Sequence, residues 1–187
     1  MTPALLADVD TVASFDAISV GLLILRVVTG LTVAAHGYNK FFGGGGIPGT
    51  AGWFDSMGMR PNGKVHAVLA ASTELGGGVL FAAGLLTPLA AAGIVGLMVV
   101  AGWTVHRDKG FFIVKSGWEY NLILAVVAIG VATTGPGKYS LDWVVGLEPA
   151  FDPNVGLAVS AGLGVVAGVG LLAACYRPPA PEPDEAS

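Results

Sequence analysis

The chain has 187 residues, of which 53% are hydrophobic and only 12% are charged, and its formal net charge is −4. Soluble domains carry about 25% charged residues, so this composition excludes a soluble domain, and it equally excludes disordered, coiled-coil and collagen-like chains. No basic cluster accompanies the negative net charge, which excludes a nucleic-acid binder. We therefore expect a protein whose solvent is the lipid bilayer.

Five apolar segments approach the length of about 20 residues that a membrane-spanning helix needs. They are predicted near residues 17–39, 64–84, 87–105, 118–134 and 155–176. The fold class is accordingly an all-α integral membrane protein. Residues 1–16 form an N-terminal segment without the basic region of a secretory signal, so we expect it to be retained. Residues 177–187 are rich in proline and acidic residues, which predicts a short disordered tail.

The basic residues of the loops are distributed unevenly between the two sides of these five helices. One side holds Lys40, Arg60, Lys64, Arg107, Lys109, Lys115 and Arg177, and the other holds Lys138. Since basic residues are retained on the cytoplasmic face, we expect the N-terminus outside and the C-terminus in the cytoplasm.

Two charged residues fall near the middle of predicted membrane helices. Arg26 lies in the first helix and Glu74 in the second. A charge facing lipid costs about 2.5–3.5 kcal/mol on insertion scales, so we predict that Arg26 and Glu74 form an ion pair inside the bundle. Two interpretations of this pair are open: a static strut that fixes helix register, or a working group in a proton relay or at a quinone headgroup.

A second polar group comes from helix ends that alternate topology places at one membrane face. It contains His36, His66, His106 and Glu119, with Lys40 close to His36 in the sequence. Such side chains can move protons, hydrogen-bond a quinone carbonyl or bind a divalent metal, and they are also ordinary interfacial residues. No metal-ligand spacing is present, so we assign no metal. No other cofactor is evident, and Cys175, the one cysteine, provides no redox pair.

Small residues mark two further features. Ser160, Gly164 and Gly168 recur every four residues on the fifth helix, a spacing that lets helices approach closely in lipid. This ridge predicts packing either within the chain or against another subunit, and we interpret it as a docking surface for a larger complex. The glycine-rich stretch 36–49 predicts a mobile interfacial loop.

Four short motifs occur in a fixed order along the chain. They are HGYNK at 36–40, ELGGG at 74–78, GWEYN at 117–121 and GPGKYSLD at 135–142. In this order the chain resembles the DoxX family of small bacterial membrane proteins over about residues 17–142. The family pattern falls on Arg26, His36, Gly37, Lys40, Glu74, Gly77, Glu119, Gly135, Gly137, Ser140 and Asp142.

The resemblance implies a four-helix membrane bundle in a bacterial inner membrane, within residues 17–154, to which this chain adds a fifth helix. It also implies association with oxidoreductase systems, including a quinone-reducing one. We therefore expect a membrane subunit or accessory protein of a redox complex that contributes a quinone or proton site. Its partners would be other subunits of that complex or further copies of itself. The alternatives are a structural assembly factor without chemistry of its own and a small transporter.

Overall fold

The computed structural model describes the backbone of residues 3–179 and the side chains of residues 11–147 and 149–179. Within this range the backbone is helical apart from connecting turns and one isolated antiparallel bridge between Met59 and Tyr176. The helices are α1 (Pro3–Phe42), α2 (Gly46–Ser56), α3 (Gly63–Ala83), α4 (Thr87–Lys109), α5 (Glu119–Thr134), α6 (Leu141–Val144) and α7 (Pro153–Cys175).

Four of these helices, α1, α3, α4 and α7, are long and apolar enough to cross a membrane, and α5 is a shorter apolar helix. At most 39% of the most apolar window of any of the four is buried inside the chain. The remainder presents large apolar side chains outward, such as Ile24, Val28 and Leu31 on α1. Lipid is the solvent that accepts such a surface. The predicted all-α membrane fold is confirmed.

Glycines set the close antiparallel contact between α1 and α3. A Cβ atom on Gly30 would lie 2.5 Å from the carbonyl oxygen of Gly78, and one on Gly37 would lie 2.4 Å from the amide nitrogen of Leu75. Real Cβ atoms do not approach backbone this closely, so both positions require glycine. These contacts fix the register in which the polar residues of the two helices meet.

The ridge of small residues on α7 packs against α4, parallel to it. Ser160 is fully buried and donates to the carbonyl oxygen of Gly156 at 2.7 Å, and a Cβ on Gly164 would lie 2.7 Å from the Cβ of Val95. A Cβ on Gly168 would likewise lie 3.0 Å from the carbonyl oxygen of Gly96. The interpretation of this ridge as a docking surface is therefore wrong, because α4 already covers it.

This contact predicts unequal effects of the same substitution at two positions of α7. Gly164→Leu should lower the free energy of unfolding by at least about 2 kcal/mol, because overpacking a filled contact costs about 1–3 kcal/mol or more. Gly170→Leu is the matched control, since a Cβ on Gly170 meets nothing within 4 Å. Thermal unfolding in detergent measures both, and equal effects would contradict the packing described above.

The structure differs from the predicted segments at three places. Helix α1 is longer than predicted and ends at Phe42, and the stretch expected to be a mobile loop contributes helix α2. Helix α2 is held by Asp55, whose carboxylate accepts from the amide of Gly63 at 2.5 Å, and by its buried Phe54. The start of the predicted disordered tail is also paired, because the Arg177 amide donates to the Gly58 carbonyl oxygen at 2.9 Å. Residues 180–187 of that tail lie outside the described residues.

Candidate functional site

Glu74 forms an ion pair with Lys40. The Lys40 ammonium donates to both carboxylate oxygens of Glu74, at 2.7 and 2.6 Å, and the two side chains are 20% and 11% exposed. The predicted pair between Arg26 and Glu74 is therefore wrong. In the register set by the glycines, Arg26 lies at the level of Ala82, about two helical turns from Glu74.

A local π-helical turn, Thr73–Gly77, carries Glu74. Such turns insert an extra residue into a helix and are frequent at functional sites. Lys40 lies in the last turn of α1. Long helical side chains point back toward the N-terminal end of their helix, so the Lys40 side chain is directed into the bundle. The motifs HGYNK and ELGGG thus meet at one point, which their order in the sequence does not reveal.

Arg26 belongs to a separate network near the turn between α3 and α4. Its guanidinium donates to the carbonyl oxygen of Ala82 at 2.5 Å and to that of Tyr139, and the carboxylate of Asp142 attracts it electrostatically. Asp142 is fully buried and accepts from the amides of Leu86 and Thr87 at 2.7 and 3.0 Å. It therefore caps α4, and this network is structural.

Lys138 lies near this network but pairs with Asp16 of α1. The hydrogen bond that its ammonium donates to the Asp16 carboxylate raises the pKa of Lys138 above its usual value. Asp142 therefore caps α4, and Lys138 pairs with a different carboxylate.

His66 is buried on α3, about two helical turns before Glu74. Its Nε2 lies 2.6 Å from the carbonyl oxygen of Arg60, which can only accept, so Nε2 carries the proton. Nδ1 then holds a free lone pair, and it has no hydrogen-bond partner among the described residues although the side chain is only 4% exposed. A buried acceptor without a donor is rare in native proteins and indicates a place for a ligand or water.

The Lys40–Glu74 pair and His66 line one cavity of about 390 Å³ between α2, α3, α4 and α7. Its other walls are predominantly apolar and include Trp53, Phe54, Met59, Leu97 and Leu171. Pockets for small ligands have about this size and this combination of apolar walls with a few polar groups. The cavity can therefore accept a flat apolar molecule that carries polar oxygens.

Three residues predicted for the polar site, His36, His106 and Glu119, do not line this cavity. His106 Nδ1 bonds the carbonyl oxygen of Ser116 at 2.6 Å, and Glu119 accepts from the amide of Ile113 at 2.9 Å, so both hold the turn between α4 and α5. His36 is exposed and stacks obliquely with Tyr120, with ring centroids 6.3 Å apart. Among the described side chains, those of residues 11–147 and 149–179, no three His, Cys, Asp or Glu residues converge on a possible metal position.

The chain matches the DoxX family model over residues 21–107. It is 32% identical over 123 residues to the Bacillus subtilis protein named "Putative oxidoreductase CatD", an alignment that covers 66% of this chain and 85% of that protein. The chain belongs to the DoxX family. It is also 27% identical over 123 residues to the Escherichia coli inner membrane protein YqjF, covering 66% of this chain and 90% of YqjF. No solved structure matches the chain significantly.

The DoxX match includes most of α1, all of α2 and α3, and most of α4. It therefore contains Lys40, His66 and Glu74. The chain is thus a multi-pass membrane protein of this family. Helix α7 lies beyond the matched range and contributes Ala167, Gly168 and Leu171 to the cavity. The additional helix predicted from the sequence is therefore a wall of the candidate site.

Proposed function

We propose that this DoxX protein binds a membrane quinone in the Lys40–Glu74 cavity, as the membrane subunit of a quinone-linked oxidoreductase. The observation that carries the proposal is an apolar cavity that is lined both by the Lys40–Glu74 ion pair and by buried His66, whose Nδ1 has no partner among the described residues. A quinone ring with its apolar tail matches such walls. The two carbonyl oxygens of the quinone accept hydrogen bonds, and the two hydroxyls of the reduced quinol can donate them.

The three polar side chains have complementary roles in this proposal. The Lys40 ammonium donates a hydrogen bond to a carbonyl oxygen of the quinone, and His66 Nδ1 accepts from the hydroxyl of the quinol. Reduction adds two electrons and two protons to the quinone, and His66 and Glu74 are placed to exchange those protons. The electrons come from a partner oxidoreductase, since the chain has one cysteine and no redox pair of its own.

The names of two relatives support the proposed redox role and the proposed membrane. The relative CatD carries the word oxidoreductase in its name, and YqjF is named as an inner membrane protein. We accordingly place this protein in a bacterial inner membrane. The uneven distribution of basic residues supports a cytoplasmic C-terminus, which puts the quinone cavity near the cytoplasmic face.

Titration of the purified protein with decylubiquinone tests the proposal. Trp53 lines the cavity, so a bound quinone should quench its fluorescence, and this part of the quenching should disappear in Trp53→Phe. Lys40→Met should raise the Kd at least about tenfold, because a hydrogen bond to a charged group contributes about 1.5–3 kcal/mol. Lys138→Met, which removes the lysine of the Asp16 pair, is the matched control and should change the Kd less than about twofold.

The double variant Lys40→Met/Glu74→Met separates binding from folding, since it leaves no unpaired charge in the bundle. It should remain folded and still bind quinone weakly. Wild-type affinity in both the single and the double variant would overturn the quinone proposal and favour the structural assembly factor.

A further inference from the structure

A second groove, of about 630 Å³, lies between α4, α5 and α7. It shares only Met98 with the Lys40–Glu74 cavity, and most of its lining is apolar. Trp103 and Trp118 line it and are 51% and 38% exposed, as side chains at a membrane interface commonly are. The groove lies at the end of α4 and the start of α5, the part of the chain that carries Arg107, Lys109 and Lys115.

Arg107 is the cation of this groove. Its guanidinium lies 4.5 Å from the centroid of the Trp103 ring. Nε donates to the carboxylate of Asp108 at 3.4 Å, and the terminal nitrogens donate to no group among the described residues. Asp108 is 86% exposed, so its side chain extends into solvent and its attraction for Arg107 is largely screened. The guanidinium therefore has donors available for an anion.

Asn121 supplies a second polar group to the same groove. The residue is 7% exposed, its Nδ2 lies 3.7 Å from the sulfur of Met98, and its Oδ1 has no hydrogen-bond partner among the described residues. A Cβ built on Gly102 would lie 4.0 Å from the Cβ of Asn121, so Asn121 lies at the level of Gly102 and its neighbour Trp103. An unpaired acceptor and an available cation thus line the same groove.

We propose that this groove binds one anionic phospholipid whose headgroup carries a hydroxyl, as in phosphatidylglycerol. The phosphate accepts hydrogen bonds from Arg107, and the hydroxyl donates to the Oδ1 of Asn121. The acyl chains lie along the apolar wall that Ala125, Val169 and Leu172 provide. The positive charge of Arg107 selects an anionic over a zwitterionic lipid, and Asn121 selects a hydroxyl over a methyl group.

Native mass spectrometry of the protein in micelles that contain equal amounts of phosphatidylglycerol, phosphatidylmethanol and phosphatidylethanolamine tests this. The wild-type protein should retain one phosphatidylglycerol in preference to the other two lipids. Arg107→Gln should lower the ratio of bound phosphatidylglycerol to phosphatidylethanolamine about tenfold, the value for loss of a charge-assisted hydrogen bond. Lys64→Gln removes an exposed basic residue outside the groove and should change that ratio less than twofold.

Asn121→Leu replaces the amide by an apolar side chain with the same branching and number of heavy atoms. It should abolish the preference for phosphatidylglycerol over phosphatidylmethanol while the anionic preference persists. Absence of any lipid preference in the wild-type protein would overturn the proposal. So would displacement of the lipid by decylubiquinone, or a second polypeptide that occupies the groove at one copy per chain. None of these results depends on whether quinone binds at the Lys40–Glu74 pair.

Discussion

Asp142→Ala is expected to lower the free energy of unfolding by about 3–5 kcal/mol, because each buried donor that loses its acceptor costs about 1–3 kcal/mol. Asp142 is fully buried, and its carboxylate accepts from two amides and from the Thr87 hydroxyl, at 2.6 Å for the hydroxyl. Its loss leaves these donors and the Arg26 guanidinium without their anion. The start of α4 and the turn between α3 and α4 should therefore loosen together.

The chain's single, half-buried Cys175 is a convenient reporter for this measurement, because a thiol-reactive fluorophore follows its exposure on heating. Asp152 is the control, since its carboxylate also caps a helix, α7, but at an exposed position. Asp152→Ala should cost about 1 kcal/mol. Similar losses in the two variants would contradict the buried network around Arg26.

Gly37→Ala is expected to destabilise the protein strongly, although it adds only one methyl group to α1. The added Cβ would lie 2.4 Å from the Leu75 nitrogen and 2.7 Å from the Ala71 carbonyl oxygen, and backbone atoms cannot yield as a side chain can. The two helices must separate, so stability should fall by about 2–4 kcal/mol. Because Lys40 and Glu74 are on these two helices, quinone binding should be lost as well.

Gly21→Ala is the matched control on the same helix, because a Cβ on Gly21 meets nothing within 4 Å. Alanine is the better helix former, so this variant should gain about 0.5–1 kcal/mol and bind quinone normally. The two substitutions are thus predicted to act in opposite directions in the same unfolding assay. A gain or no change at Gly37 would contradict the close contact of α1 with α3.

The membrane class and the apolar segments were predictable because hydropathy over about 20 residues directly reflects the lipid environment. The partner of Glu74 was not. Counting residues along two helices places Arg26 and Glu74 near mid-membrane. The true register of α1 against α3 is set by the close backbone contacts of Gly30 with Gly78 and of Gly37 with Leu75. Those contacts shift Arg26 to the level of Ala82 and leave Glu74 to Lys40.

For the three histidines, too, the sequence predicts only part of the arrangement. Topology predicts the depth of His36, His66 and His106, but the direction in which each faces depends on tertiary packing. His66 alone of the three lines the cavity, while His36 faces outward and His106 holds a turn. A sequence signal for His66 was nevertheless available, because it is the only histidine in the first turn of a helix. A side chain there can point back to the loop before the helix, as His66 does to Arg60.

Helix α2 was missed because four consecutive glycines, 43–46, indicate a break in helical structure. They do break it, between Phe42 and Gly46, but the following stretch carries Ala51 and Phe54 on one buried face. Docking of that face against Met59 and Ala67 stabilises the helix more than its glycines disfavour it. Helix α2 thereby positions Trp53 and Phe54 at the cavity.

A photoreactive azidoquinone added to membranes that contain the full chain tests the central claim most directly. After illumination, peptide mapping should locate the label within residues 53–74, 92–105 or 167–171, the segments of α2, α3, α4 and α7 that line the Lys40–Glu74 cavity. Labelling should fall about tenfold in Lys40→Met and be unchanged in Lys138→Met. Labelling confined to other segments, or equal labelling of both variants and the wild type, would contradict a quinone site at this ion pair.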